Sequence, residues 1–304
     1  MQNLTTISEK DIPIMISSYN LGKYINFMKF NNGACQTTLS ILTSSGAYVL
    51  RYFENRTLKH VEFETKLINE LINADFPVPK IFPNKNAGYY EVYKNKPYVI
   101  TEFITGQHCS DPNVSIDKEA LKAIIKTVAD LHTLTNRYPA EYFSDRTVYD
   151  AQYCWGEFCK NHKRLINLEQ GKWFKQELNN MQLSDTLPKG LCHADLNYSN
   201  FLFRAGKVVA MLDFDMSFYT YLIYDIASLI YWWAWSLKEG FNLKSAKQIA
   251  SEYSKHRILS SDERKNIIPA LKLIILLGIA WSKDSDIENE MQKIKQLNTE
   301  NWQF

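Results

Sequence analysis

Between His193 and Asp213 the sequence HADLNYSNFLFRAGKVVAMLD spaces its polar side chains as H-x-D-x(4)-N-x(12)-D. Phosphoryl transfer from a nucleotide asks for little covalent chemistry from a protein. It needs a carboxylate beside the attacking hydroxyl and hard oxygen ligands for Mg²⁺ on the phosphates. Asp195 suits the first task, accepting or orienting the hydroxyl proton. Asn200 suits the second through its amide oxygen, while its NH₂ binds loop backbone. Asp213 ends the apolar run Val208–Leu212, and a carboxylate at a buried strand end needs a partner such as a bridging metal. Two residues on, Asp215 would point the same way on an extended chain; there it assists the metal, holds a cationic group of the substrate, or stands exposed. The competing readings are a surface loop Asp195, a turn cap at Asn200 and a paired structural Asp213.

The elements that must carry these residues follow from periodicity and punctuation. Thr38–Thr43 and Tyr48–Phe53 read as strands of a hairpin turned at Ser44-Ser45-Gly46. Lys59–Ala74 shows helix-spaced apolar residues and stops at Phe76-Pro-Val-Pro79; Tyr89–Tyr93 and Tyr98–Phe103 give further strands. After Gly106 the chain turns helical. Ser115 is the expected N-cap of a helix over Ile116–Leu134, and Ser260 with Glu263 forms a capping box before a helix that Pro269 should kink or restart. The run Phe218–Trp235 approaches membrane-spanning length, but Asp225 sits in its middle, so a buried helix is expected, as for Leu271–Trp281. A carboxylate there must find donors.

The 304 residues carry 45% hydrophobic and 22% charged side chains, ordinary for a globular chain, with Lys plus Arg 35 against Asp plus Glu 33. Such a balance gives no field to recruit nucleic acid or an anionic membrane, so neither is an expected partner. Five scattered cysteines and a polar Met1–Asp11 segment suit reduced thiols in a cytoplasm. Cys154, Cys159 and His162 supply too few ligands for zinc and read as residues of a helix face.

The ordered motifs resemble those of the aminoglycoside phosphotransferase and choline kinase superfamily, which shares the protein-kinase-like fold. Besides the signature, Leu212-Asp213-Phe214 resembles its D-[FW] pair, Tyr224-Asp225-Ile226-Ala227 its Y-D-[IL]-A, Leu131-His132 its L-H and Phe76–Pro79 its P-V-P. The resemblance implies an α+β, bilobal fold: an N-lobe sheet with one helix over residues 1–101, a hinge at 102–107, and a helical C-lobe over 108–304 with catalytic loop and substrate pocket. ATP and Mg²⁺ would be the cofactors, with nucleotide bound between the lobes. Arg51, on the hairpin's second strand, takes the place of the phosphate-binding lysine, fixed by Glu64, with Glu62 as competitor. Asn32 and Gly33 belong to the turn expected to cover the phosphates. Thr101-Glu102-Phe103-Ile104 resembles the hinge whose backbone meets adenine. His193 braces the loop and Asp225 holds its backbone.

The N-terminal motifs Tyr19-Asn-Leu-Gly22 and Tyr48-Val-Leu-Arg-Tyr-Phe-Glu54, together with His193-Ala-Asp-Leu196, resemble the homoserine kinases of the superfamily. Homoserine or a related amino alcohol is therefore the expected acceptor. Tyr198-Ser199 and Asp215 depart from that subgroup, and Asp213-Phe-Asp215 is similar to choline and ethanolamine kinases. Choline-type alcohols and aminoglycosides follow as alternatives. Tyr219, Tyr221, Trp232, Trp233 and Trp235 could cage a quaternary ammonium or simply pack a core. From another class, a nucleotide-binding pseudokinase module is opposed by the intact Asp195, Asn200 and Asp213.

Overall fold

The computed structural model describes residues 4–30, 36–109, 117–143, 146–181, 183–236, 240–283, 287–299 and 302–304. The chain divides into two compact units, Met1–Gln107 with Val209–Leu212, and His108–Val208 with Asp213–Phe304. The segment 102–107 thus belongs to the first unit.

The first unit holds a short helix α1 (Asp11–Ile16) and the strands β1 (Tyr24–Lys29), β2 (Thr37–Thr43) and β3 (Gly46–Tyr52). After helix α2 (Leu58–Asn73) come β4 (Glu91–Tyr93) and β5 (Lys96–Glu102), and a short strand β6 (Gln107–His108) ends this stretch. The antiparallel sheet has the order β1-β2-β3-β5-β4. Gly46, with φ 140°, takes the hairpin conformation that side chains resist, and it pairs with Thr43. Alternation along β2 and β3 buries Leu39, Ile41, Tyr48, Leu50 and Tyr52 against Ile12, Met15 and Ile16 of α1. Period two then forces Arg51 onto the opposite face, opposite Thr38 on β2 and Val99 on β5. Helix α2, capped by Thr57, buries Val61, Phe63, Glu64, Leu67 and Leu71. Strand β1 was absent from the sequence reading: its Ile25 and Met28 are exposed, so its pattern lacks a buried stripe.

The second unit contains α3 (Lys118–Thr135), α4 (Ala151–Asn161), α5 (Glu169–Asn180), and the strands β7 (Lys189–Cys192), β8 (Phe201–Arg204) and β9 (Lys207–Met211), whose last residues pass to the first unit. Strand β10 (Phe218–Tyr221) leads into α6 (Ile223–Trp233), the short pair β11 (Trp235–Ser236) and β12 (Gly240–Phe241), then α7 (Leu243–Ser254), α8 (Ser261–Trp281) and α9 (Ile287–Thr299).

Several expectations need correction. The cap of α3 is Asp117, whose carboxylate accepts from Glu119 and Ala120 N–H, while Ser115 lies outside the described residues. The run from Phe218 is not one helix: Phe218–Tyr221 pairs with β7, in register Phe218↔Cys192, before α6 begins. Helix α8 neither stops nor restarts at Pro269. Its capping box fixes the start, and Ile267, Ala270 and Leu271 bury on both sides of the proline, which offsets the missing backbone bond. Cys154 is a buried residue of α4, and His162, the C-cap of that helix, donates through Nε2 to Ile279 C=O at 2.9 Å. No helix among the described residues is long and apolar enough to cross a membrane.

Candidate active site

Strand β7 delivers the chain to His193, and the following loop runs to a 3₁₀ turn at Tyr198–Asn200. Ala194 takes φ 69°, a left-handed conformation that costs a non-glycine residue about 1 kcal/mol. Helix α6 holds the loop in this shape. Asp225 is fully buried and accepts from His193 N–H and Ala194 N–H at 2.8 Å each, and from His132 Nε2 at 3.0 Å. One turn on, Ser228 Oγ accepts from Leu196 N–H at 3.3 Å, and Trp233 Nε1 donates to Leu196 C=O at 2.9 Å. Asp225 therefore has the donors its burial demands. Ser228 and Trp233 were not picked out as loop supports. Their signal was i, i+3 and i+8 spacing from Asp225 on one helix face.

Within the loop, Asp195 gathers polar neighbours. Its carboxylate accepts from Asn197 Nδ2 at 2.9 Å and Asn200 Nδ2 at 3.0 Å, and its backbone C=O accepts from Asn200 Nδ2 at 2.8 Å. His193 Nδ1 accepts from Asp195 N–H at 3.3 Å, so His193, itself buried, meets the loop as a brace. Burial raises the Asp195 pKa above its ordinary 3.8; the asparagine bonds and His193 pull the other way, and Asp213 adds to the rise. Asn200 spends its NH₂ on Asp195, which leaves its amide oxygen as the atom suited to a hard cation.

Asp213 adopts φ 62° and ψ 70° and caps a 3₁₀ turn, Phe214–Met216, accepting from Asp215 N–H at 3.4 Å. The expectation that Asp215 continues an extended strand is therefore wrong. The left-handed residue reverses the chain, and Asp215 is buried at 5% exposure instead of standing at the surface. Arg146 fixes this turn. It is 6% exposed and donates through Nε to Ser217 C=O at 2.6 Å and through Nη2 to Phe214 and Asp215 C=O at 2.9 and 2.7 Å. No spacing in the sequence singled it out. The Phe214 ring meets His193 edge-on at 4.8 Å, linking the turn to the loop. Asp213 and Asn200 thus offer a carboxylate and an amide oxygen, a donor set that fits Mg²⁺.

The candidate aromatic cage does not assemble as one site. Tyr219 stacks on Phe143 at 5.3 Å, Tyr221 binds Asp185 and covers Lys189, and Trp233 lies in the core. Trp235 faces Phe241, and Lys293 Nζ sits 4.9 Å from its ring and 4.7 Å from that of Tyr231. Trp232 meets the loop edge-on at Tyr198, 6.5 Å between ring centroids. His132, Cys192 and Asp225 cluster at metal-ligand distances. Both imidazole nitrogens and both Asp225 oxygens are already hydrogen-bonded, and burial raises the Cys192 thiol well above its ordinary value. The cluster is a hydrogen-bond junction.

In the first unit Arg51 Nη1 pairs with Glu64 Oε1 at 3.2 Å, and Arg51 lies over the Phe53 ring at 5.1 Å. Glu62, the competitor, instead accepts from the Tyr90 hydroxyl at 2.7 Å. Glu102 closes β5, and its N–H donates to Lys80 C=O at 2.8 Å, so that amide is engaged within the unit. Phe103 follows it, 37% exposed. Asn32 and Gly33 lie outside the described residues.

The chain belongs to the phosphotransferase enzyme family (APH), whose profile matches residues 27–259. It is a kinase-class enzyme of the aminoglycoside phosphotransferase and choline kinase superfamily, with an α+β, protein-kinase-like fold, acting on small molecules. Enzymes of this family use ATP and a divalent metal. Among relatives, a homoserine kinase of Caulobacter vibrioides is 26% identical over 88% of this chain and 84% of its own length. A homoserine kinase of Neisseria meningitidis serogroup B is 24% identical over 87% and 85%. Among solved structures, an amicoumacin kinase in complex with AMP-PNP, Ca²⁺ and Ami superposes with TM-score 0.74 at 16% identity, covering 96% of this chain and 93% of that one. A microcompartment-associated aminopropanol kinase gives TM-score 0.71 at 16% identity, covering 95% of each chain.

Proposed function

We propose that the enzyme transfers the γ-phosphoryl group of ATP to the hydroxyl of homoserine or a related amino alcohol, in the cytoplasm, where its described cysteines remain free thiols. The observation that carries the transfer is the Asp195 carboxylate, clamped by Asn197 and Asn200 and raised in pKa by burial, beside the oxygen donors Asn200 and Asp213. The acceptor hydroxyl gives its proton to Asp195 as its oxygen bonds to the γ-phosphorus, and the bond from that phosphorus to the ADP oxygen breaks. Mg²⁺, when held by Asn200 and Asp213, neutralises the charge on the phosphates. Arg51, aimed by Glu64, binds phosphate oxygens through its fork of N–H donors. Phe103, and the Glu102 carbonyl beside it, meet the adenine. On this reading the acceptor is met by Trp232, which lies beside Tyr198, and by Asp215, in the turn after Asp213.

Support for homoserine over choline comes from the homoserine kinases matched across most of both chains. The scattering of these aromatic rings, and the Lys293 ammonium already seated against Tyr231 and Trp235, leave no ready cage for a quaternary ammonium among the described residues. The test is ATP consumption with Mg²⁺ across homoserine, aminopropanol, ethanolamine, choline and aminoglycosides. Homoserine should be turned over with the highest kcat/KM. Faster turnover of choline or an aminoglycoside would replace the proposed substrate, and nucleotide binding without turnover of any alcohol would favour a pseudokinase module.

A further inference from the structure

Behind Asp225 the hydrogen bonds continue away from the catalytic loop and end at a charged corner. His132 on α3 meets Asp225 through Nε2, and its Nδ1 lies 2.6 Å from the Tyr253 hydroxyl on α7. That hydroxyl accepts from Arg257 Nε at 2.7 Å. Arg257 also pairs with Glu263, whose second oxygen accepts from Ser260 N–H at 2.9 Å within the α8 capping box. His132, Tyr253, Asp225 and Glu263 are all buried.

The ends of this chain fix the direction of every bond in it. A guanidinium only donates and a carboxylate only accepts. Arg257 therefore donates to the Tyr253 oxygen. Burial pushes the Tyr253 pKa up, so the phenol keeps its hydrogen and gives it to His132 Nδ1. His132 is left with its single hydrogen on Nε2, aimed at Asp225. A neutral ring with its hydrogen on Nδ1 would set Nε2 against the Asp225 carboxylate as two acceptors, and a doubly protonated ring would leave the buried Tyr253 hydrogen without a partner.

We propose that Tyr253 and Arg257 are positioning residues for phosphoryl transfer: the one-way series Arg257, Tyr253, His132, Asp225 fixes the His132 tautomer and, through it, the carboxylate that clamps His193 and Ala194 ahead of Asp195. The effect on rate rests on the reading of Asp195 given above; the tautomer does not. The role differs from packing alone because Tyr253→Phe keeps the ring, which meets His132 edge-on at 5.8 Å, and removes only the hydroxyl.

The experiment joins an NMR readout to kinetics. Long-range ¹H–¹⁵N spectra of the imidazole rings in the full chain should show His132 neutral with its hydrogen on Nε2, and Tyr253→Phe should alter that pattern. In the same variant kcat should fall about tenfold, the factor set on a rate by one hydrogen bond of ordinary net strength. The KM for ATP should stay within about twofold, since no ground-state nucleotide contact is touched. Arg257→Met should shift kcat the same way. Ile249→Val, a fully buried methylene loss on the same helix, should lower Tm and leave kcat unchanged. The proposal is overturned by a His132 carrying hydrogen on Nδ1 or on both nitrogens, by a folded Tyr253→Phe of undiminished kcat, or by an equal loss of kcat in Ile249→Val. Should Tyr253→Phe fail to fold, the wild-type spectrum and Arg257→Met decide. Absence of turnover in the wild type would sink the catalytic reading and leave the spectrum to judge the series.

Discussion

Replacing Asp225 by alanine would strip the acceptor from His193 N–H, Ala194 N–H and His132 Nε2, all at 3.0 Å or less and all inside the second unit. Each bond to a charged group contributes about 1.5–3 kcal/mol, and these donors share one carboxylate, so their losses do not add. Removing one partner of a buried, charged network costs about 3–5 kcal/mol. Asp225→Ala should therefore lose about 4 kcal/mol, out of a stability of about 5–15 kcal/mol for a typical domain. Asp225→Asn keeps one accepting oxygen but turns an NH₂ toward a backbone donor, and should lose about 2 kcal/mol. Urea unfolding followed by tryptophan fluorescence reads the stability, and ATP consumption at a temperature where each variant is folded reads the loop. Activity should fall in both, because the left-handed Ala194 relaxes once its N–H is released. A loss under about 1 kcal/mol for Asp225→Ala, the value of a lone neutral hydrogen bond, would refute this account of how the loop is held.

Other outcomes follow from the same geometry. Asp195→Asn should lower kcat at least ~10²-fold while leaving nucleotide affinity nearly intact, measured by single-turnover assay and titration. Burial raises the folded Asp195 pKa above 3.8, so its ionised form is the costly one. The variant should therefore be at least as stable as wild type at neutral pH, with any gain shrinking as pH falls through the raised folded pKa and gone below 3.8, where the acid is neutral in both states. For the same reason the acid limb of the wild-type kcat profile should lie above pH 3.8. Asp213→Asn keeps a residue tolerant of φ 62° but weakens the anion, and should reduce Mg²⁺-ATP affinity about tenfold or more by calorimetry. Ala194→Gly removes the strain at φ 69° and should change stability by no more than about 1 kcal/mol upward, with turnover retained.

Legibility in the sequence tracked how local the physics was. The Ser44–Gly46 hairpin, the Ser260–Glu263 capping box and α2 were visible because turn and cap chemistry acts within a few residues. Asp225 was visible as a contradiction, a charge inside an apolar run that had to be answered by donors. Strand β1 was hidden because an edge strand with exposed Ile25 and Met28 shows no buried stripe. Strand β10 was hidden in an apolar run whose first residues find their partner in β7, a pairing that no local period records. The reversal at Asp213 was misread as extended chain because left-handed backbone is expected at glycine, and asparagine or aspartate signals it only weakly. Arg146 was illegible for a related reason: its acceptors are carbonyls some seventy positions away, brought near only by the folded chain.

The grips on the catalytic loop, at Asp225, Ser228 and Trp233, all belong to α6, which is buried along most of its length. The loop consequently has no private way to come loose. Its amides at His193, Ala194 and Leu196 should exchange with solvent only when the surrounding helices let go, and on heating the enzyme should lose phosphorylation and helicity along one shared curve.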